Sequence, residues 1–275
     1  MPFWPRMGNR VLLVLTFAAL VSDFVGDQAM NDGDVNTAKP GKDKWTVRVA
    51  AAGGGVTIIG FLCAPLGVSP FTAMSALGLG SLLLIAGGIM GAIGIARGGA
   101  ARATTGTLIA VVLGLAALVN FGSRLGGGGA PIHDISTDTD NPPEFIAVAG
   151  LRAENENPVT YGGAEVAAIQ AEAYPDIETI VLLDPPSFIF QTALEVAADM
   201  GWEIVASDAD SRRIEATATT PFVGFKDDVV VRITTDGAET RVDVRSKSRI
   251  GGGDMGVNAE RIRTFRENLV RAASP

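Results

Sequence analysis

The chain has 275 residues, of which 47% are apolar before its 34 glycines are counted, and a formal charge of −8. That leaves room for one or two domains and carries more apolar content than a soluble chain needs, so part of it is expected in lipid. Residues 1–130 hold 9 basic and 5 acidic residues and residues 131–275 hold 13 and 25, so the second half would repel a phosphate backbone. With no basic stripe interleaved with aromatics, nucleic acid is excluded as a partner.

Residues 1–46 read as an amino-terminal extension. Its apolar run "RVLLVLTFAALV" follows Arg6 and Arg10 as the core of a signal peptide would, yet no clear small-x-small cleavage site follows. It is read as an interfacial or cleaved segment, or as a mis-assigned start upstream of Met30. Counted as a fourth span, it would turn the neighbouring basic residues outward, against the charge rule.

Residues 47–124 read as an α-helical transmembrane anchor of three spans. No charged residue occurs from Val49 to Ala96, which is long enough for two spans of about 20 residues with a turn at Pro65 to Pro70. The uncharged run from Ala103 to Ser123 supplies the third. Gly87 and Gly91 have the spacing that lets helix backbones approach, and packing within the bundle is the favoured reading over a dimer face. The lone cysteine, Cys63, falls in this region and has no partner for an intrachain disulfide. Lys39, Lys42, Lys44, Arg48, Arg97 and Arg102 place the amino terminus in the cytoplasm, and three crossings then place the rest of the chain outside it.

Residues 125–131 contain four consecutive glycines and form a flexible linker. Residues 132–275 are the acidic domain. Asp134 to Asn141 is rich in Asp, Ser and Thr and reads as a polar turn, with Pro142 and Pro143 keeping the chain extended. A short helix is expected over 164–173, a strand over 179–183, and a helix within "DPPSFIFQTALEVAADMG" that Gly201 closes. The period then falls to two, giving strands at 202–206 and 213–219 and a hairpin from 228–234 through Asp236 and Gly237 into 241–250. Ile262, Phe265 and Leu269 mark a final amphipathic helix over 258–272. The order predicts an α+β fold, an antiparallel sheet covered on one face by two helices, similar to helix-grip modules.

Two clusters could carry chemistry. Asp134, Asp138 and Asp140 offer hard carboxylate ligands to a divalent ion and His133 adds a nitrogen, although the spacing does not fit a calcium hand. In "RVDVRSKSR", Arg241, Arg245, Lys247 and Arg249 share one strand face, and Arg232 joins them from the next strand. That face would suit a carboxylate, a phosphate or an acidic headgroup, unless cross-strand residues such as Glu215 and Asp228 neutralise it. "GGGDMGVN" lacks the lysine and hydroxyl residue of a phosphate loop and reads as a corner capped by Asp254 or Asn258. No catalytic residue stands out, and no cofactor is implied.

The strings "PIHDISTDTDNPPEF", "YGGAEVAAIQAEAYPDI", "MGWEIVASD", "GFKDDVVVRI" and "RVDVRSKSRIGGGDMGVNAERIRTF" resemble the bacterial and plant family called domain of unknown function 1499, from Pro131 to about Leu269. The preceding anchor is similar to that of its membrane-bound members. The resemblance implies no reaction and no site residues. Two functions are therefore expected. The favoured one is a plasma-membrane protein that displays an extracytoplasmic, non-catalytic binding or scaffold domain in the cell envelope. Its partners would be the lipid bilayer and an envelope protein or anionic ligand. The alternative is a metal-dependent envelope hydrolase using the Asp134 to Asp140 loop.

Overall fold

A computed structural model describes residues 129–220 and 223–273, residues 68–96, and scattered positions within 52–66 together with Val112 and Leu115. The chain divides into two units, Met1–Arg124 with Pro221–Gly224, and Leu125–Thr220 with Phe225–Pro275.

In the first unit, helix α1 spans Pro70–Ala96. Proline suits a first helical position because its missing N–H would be unpaired there in any case. The helix is apolar all round, and Pro70–Met90 has a mean hydropathy of 1.9 with most of its surface uncovered. Among the described residues it is the one helix long and apolar enough to cross a membrane. The expected count of three spans is thus not supported, because the other two fall mainly on residues outside those described. Residues 52–57 and 59–60 are also helical and run antiparallel to α1. A Cβ on Gly53 would lie 2.8 Å from the Leu84 nitrogen, one on Gly60 2.8 Å from Leu77 Cγ, and one on Gly80 2.7 Å from the Thr57 nitrogen. Glycine at these three positions is what lets the two backbones touch.

The second unit is a six-stranded antiparallel sheet. Its strands are β1 (Asp134–Ser136), β2 (Ile180–Leu182), β3 (Glu203–Asp208), β4 (Arg213–Thr219), β5 (Lys226–Asp236) and β6 (Glu239–Ser248), in the order β1-β6-β5-β4-β3. β2 pairs β6 beyond the end of β1, so two short strands share one edge of β6. The tight turn at Asp236 and Gly237 sets the β5–β6 register through the pair Asp236 with Glu239; Gly237 has a φ of 60°, which a side chain would oppose. The stretch read from sequence as a polar turn therefore supplies a strand. Gln170 of helix α2 (Gly163–Ala173) finishes its outer edge, accepting from the Ser136 N–H at 2.9 Å and donating to the Ser136 carbonyl at 2.6 Å. Both backbone groups are thereby satisfied away from water.

Helices α3 (Pro186–Asp199) and α4 (Val257–Ala273) cover one face, as the periodicity predicts. Val231, Val242 and Val244 of the sheet meet Ile189 and Phe190 of α3 and Ile262, Phe265 and Leu269 of α4 in one apolar cluster. Trp202 stacks on Phe265 with centroids 5.4 Å apart. Asp254 begins α4, its carboxylate accepting the N–H groups of Gly256 and Asn258 at 2.9 and 2.8 Å.

The opposite face follows from strand alternation and is charged. Pairing aligns Asp134, Lys247, Asp228 and Thr217 in one row across β1, β6, β5 and β4. Ser136, Arg245, Val230 and Glu215 form the next row. The connector from 137 to 162 lies over these rows, with Phe145 and Val148 packed on Val230.

Candidate ligand cleft and the ion network beneath it

A charge buried in protein must be paired and hydrogen-bonded or it destabilises the fold. Arg245 and Lys247 of β6 and Arg249 just past its end meet that condition within the domain. Arg245 grips Asp134 as a fork, Nε to Oδ1 at 2.8 Å and Nη2 to Oδ2 at 2.9 Å. The same guanidinium donates to the carbonyls of Pro143 and Val159 at 3.1 and 2.8 Å, and it lies over the Phe145 and Tyr161 rings. Lys247 Nζ donates to Asp134 at 2.9 Å and to the Thr160 carbonyl at 2.7 Å. Arg249 and Arg152 share Asp228, each with a nitrogen 2.8 Å from it. Arg152 also donates to the Asn157 and Lys247 carbonyls.

Glu215 accepts the N–H groups of Ile146 and Val148 and the Nε of Arg213, all at 3.0 Å. The network thus fastens the connector by its backbone. Burial lowers the pKa of Lys247, and the opposing pull of Asp134 does not cancel it. Burial likewise pushes the Tyr161 hydroxyl up to about 12, with Asp134 adding to the rise and Arg245 opposing it.

At the joint between β1 and β2 the face opens. Asp243 is buried there, accepting from the Thr137 and Thr179 hydroxyls at 3.2 and 2.6 Å and from Arg232 at 2.9 Å. Arg232 bridges outward to Asp138 at 2.9 Å. A shallow, open polar cleft of about 370 Å³ is lined by residues 137–140, Glu178, Thr179, Val181 and Arg241. Arg241 is half-buried, and its ion-pair contact is the exposed Asp236 at a limiting 4.0 Å. A distance of that size is not a hydrogen bond.

The sequence-derived candidates are therefore separated. Arg245, Lys247 and Arg249 point into the covered network, Arg232 supports the cleft from below, and Arg241 alone of the row opens onto it. Of the acidic set, Asp138 and Asp140 line the cleft, Asp134 is held by Arg245 and Lys247 beneath the connector, and His133 contributes its backbone carbonyl to Ser248 and Asn258. Among the described residues, no three of His, Cys, Asp and Glu come together as a metal-ligating group.

A family model described as "Protein of unknown function (DUF1499)" matches residues 134–269. Through its carboxy-terminal domain the chain belongs to this family. The match begins at the first residue of β1 and ends within α4, so it takes in the whole sheet, the network and the cleft. No curated protein matches the chain.

Arg152, Glu178 and Thr179 were missed from sequence, whereas Asp243 is legible there on the charged face of "RVDVRSKSR". Arg152 and Glu178 lie in polar connections without period. Thr179 directly precedes β2 and carries no period of its own.

Proposed function

We propose that the protein is an integral membrane protein that displays its acidic domain on the extracytoplasmic side of the plasma membrane as a non-catalytic binding module. One observation carries the binding reading. Among the described residues, Arg245, Lys247 and Arg249 beneath the connector are held in internal ion pairs, whereas Arg241 at the cleft has a 4.0 Å contact to the exposed Asp236. Strand β6 presents this guanidinium, and residues 137–140, the start of the connector, line the cleft. The bilayer supports the domain through α1, whose length and hydropathy suit a span.

The basic residues before and after the uncharged runs favour an inside amino terminus. One crossing or three give the same sidedness, and the antiparallel contact of residues 52–60 with α1 supports a helical hairpin as part of the longer anchor.

The test uses the full-length protein in nanodiscs, with thermal unfolding measured against a panel of small carboxylates, phosphates and zwitterions. Saturable stabilisation by at least one compound, abolished by Arg241→Glu with the unliganded melting temperature unchanged, supports the reading. Stabilisation that persists in the variant, or none across the panel, removes the cleft as the binding site.

A further inference from the structure

Met255 combines two features that folding does not ask for. Its φ is 56°, a left-handed conformation that residues other than glycine, asparagine and aspartate seldom adopt, and its apolar side chain is 39% exposed. Its position says what covers it. Gly129, the first described residue of the domain, lies so close that a Cβ on it would be 2.7 Å from Met255 Cα. The Asp254 N–H donates to the Ile132 carbonyl at 3.2 Å, which sets the loops 129–132 and 251–256 side by side at the end of the sheet where the chain enters.

That end differs in charge from the opposite one. The two loops carry one charged side chain, Asp254, and it is buried as the cap of α4. The link between the paired ends of β4 and β5 here, "TPFVGF", has none, and Lys226 beside it is exposed. Glu154, Glu156 and Glu203 belong to the connector and to edge strand β3, outside the two loops. The turns at the other end carry Asp208, Asp210, Asp236 and Glu239.

We propose that the loop end led by Met255 rests on the headgroup region of the bilayer that anchors the chain. This inference rests on the membrane reading above, in which the uncharged run 103–123 is a span and the chain leaves the bilayer at Arg124. From Arg124 to Gly129 the chain can extend about 18 Å, whereas β5 with its 11 residues is about 36 Å long. The tether is therefore too short for the far end of the sheet to turn onto the membrane, and it holds Met255 beside the lipid at high effective concentration. A flexible thioether suits an irregular apolar surface, and Lys226 can lay its stem along that surface while its ammonium stays among the phosphates. The acidic end then stands farther from the headgroups than the roughly 8–10 Å over which charges act in physiological salt.

In a Cys63→Ala background, a fluorophore is attached at Gly252→Cys, where a side chain meets open space, or at Asp210→Cys in a far turn. The full-length protein is reconstituted in phosphatidylcholine vesicles containing a lipid with a nitroxide near its headgroup. Quenching at position 252 should exceed that at 210 about fivefold, the two ends of the sheet being about 36 Å apart. Adding Met255→Asn, which fits the left-handed backbone, should cut the quenching at 252 by about half, with the melting temperature in detergent within about 2 °C of the parent. Equal quenching at the two positions, or quenching at 252 unchanged by Met255→Asn, overturns the proposal. Washing the vesicles at alkaline pH separates the two readings. Protein that is retained but not quenched at 252 keeps the anchor and loses the lipid contact, and protein that washes off loses both.

Discussion

Removing Asp134 is the severest single test of the buried network. Its side chain is 3% exposed and carries one negative charge against two cations, Arg245 at 2% and Lys247 at 4%. The trio has a net charge of +1, so Asp134→Ala leaves two uncompensated cations and Lys247→Met leaves a neutral pair. Stripping one partner from a buried ion pair costs about 3–5 kcal/mol, and here two cations lose the same partner, so the upper end applies. Lys247→Met gives up two hydrogen bonds, to Asp134 and to the Thr160 carbonyl, each worth about 1 kcal/mol, but also removes a desolvated charge that offsets most of that loss. Its net effect should stay within about 1 kcal/mol.

Against a domain stability of about 5–15 kcal/mol, the first variant should be near the edge of folding and the second close to the parent. Urea unfolding of the full-length protein in detergent, with Trp4 and Trp45 replaced by phenylalanine so that Trp202 reports, measures both. Asp134→Leu combined with Arg245→Met and Lys247→Met should recover part of the loss, since no charge is left unpaired, while the Pro143, Val159 and Thr160 carbonyls lose their donors. A cost below about 1 kcal/mol for Asp134→Ala, or equal costs for Asp134→Ala and Lys247→Met, would refute the assignment of these charges to a sealed network.

Three further outcomes are expected. Ultraviolet titration should show one tyrosine ionising only at about 12, and Tyr161→Phe should remove that component; a single transition near 10 would place Tyr161 in water. Burial raises the pKa of Asp254 above the ordinary aspartate value. The folded state then holds a proton that the unfolded chain has lost, so this group's contribution falls as pH rises from the unfolded to the folded pKa. The stability difference between parent and Asp254→Asn should drop across that window and be flat above it, and a difference that rises instead would contradict the burial. Gly80→Ala should destabilise the anchor by about 1–3 kcal/mol, because its methyl would meet Thr57 backbone; unchanged thermal unfolding in detergent would argue against the helix contact.

The helical layer was legible because its signals are local. Ile262, Phe265 and Leu269 recur at helical spacing, and the Asp236 and Gly237 turn announces its hairpin. Alternation in "RVDVRSKSR" likewise divides core residues from charged ones correctly. Alternation, however, says only that two faces differ, and leaves open whether the charged face meets water or protein. That depended on Asp134, paired with Arg245 across 111 positions, and on a connector whose composition favours turns.

The strand β1 was missed for a related reason. It has three residues, all polar or β-branched, and its pairing comes from the β6 edge and the Gln170 amide rather than from its own propensity. The cleft shows the same limit, since Asp140, Glu178 and Arg241 are brought together by tertiary pairing alone. The anchor is the converse case, in which apolar length points to membrane spans and the structure supports one.

The most direct test of the central claim, an extracytoplasmic domain with an open cleft over a closed network, is labelling with a membrane-impermeant maleimide. In a Cys63→Ala background, cysteine is introduced at Asp140, on the cleft rim, or at Lys247, beneath the connector. Intact cells should label the Asp140→Cys protein as fully as lysed cells do, while the Lys247→Cys protein should react only after denaturation. Labelling of Asp140→Cys only after lysis would place the domain in the cytoplasm, and rapid labelling of Lys247→Cys in the folded protein would contradict the closed network.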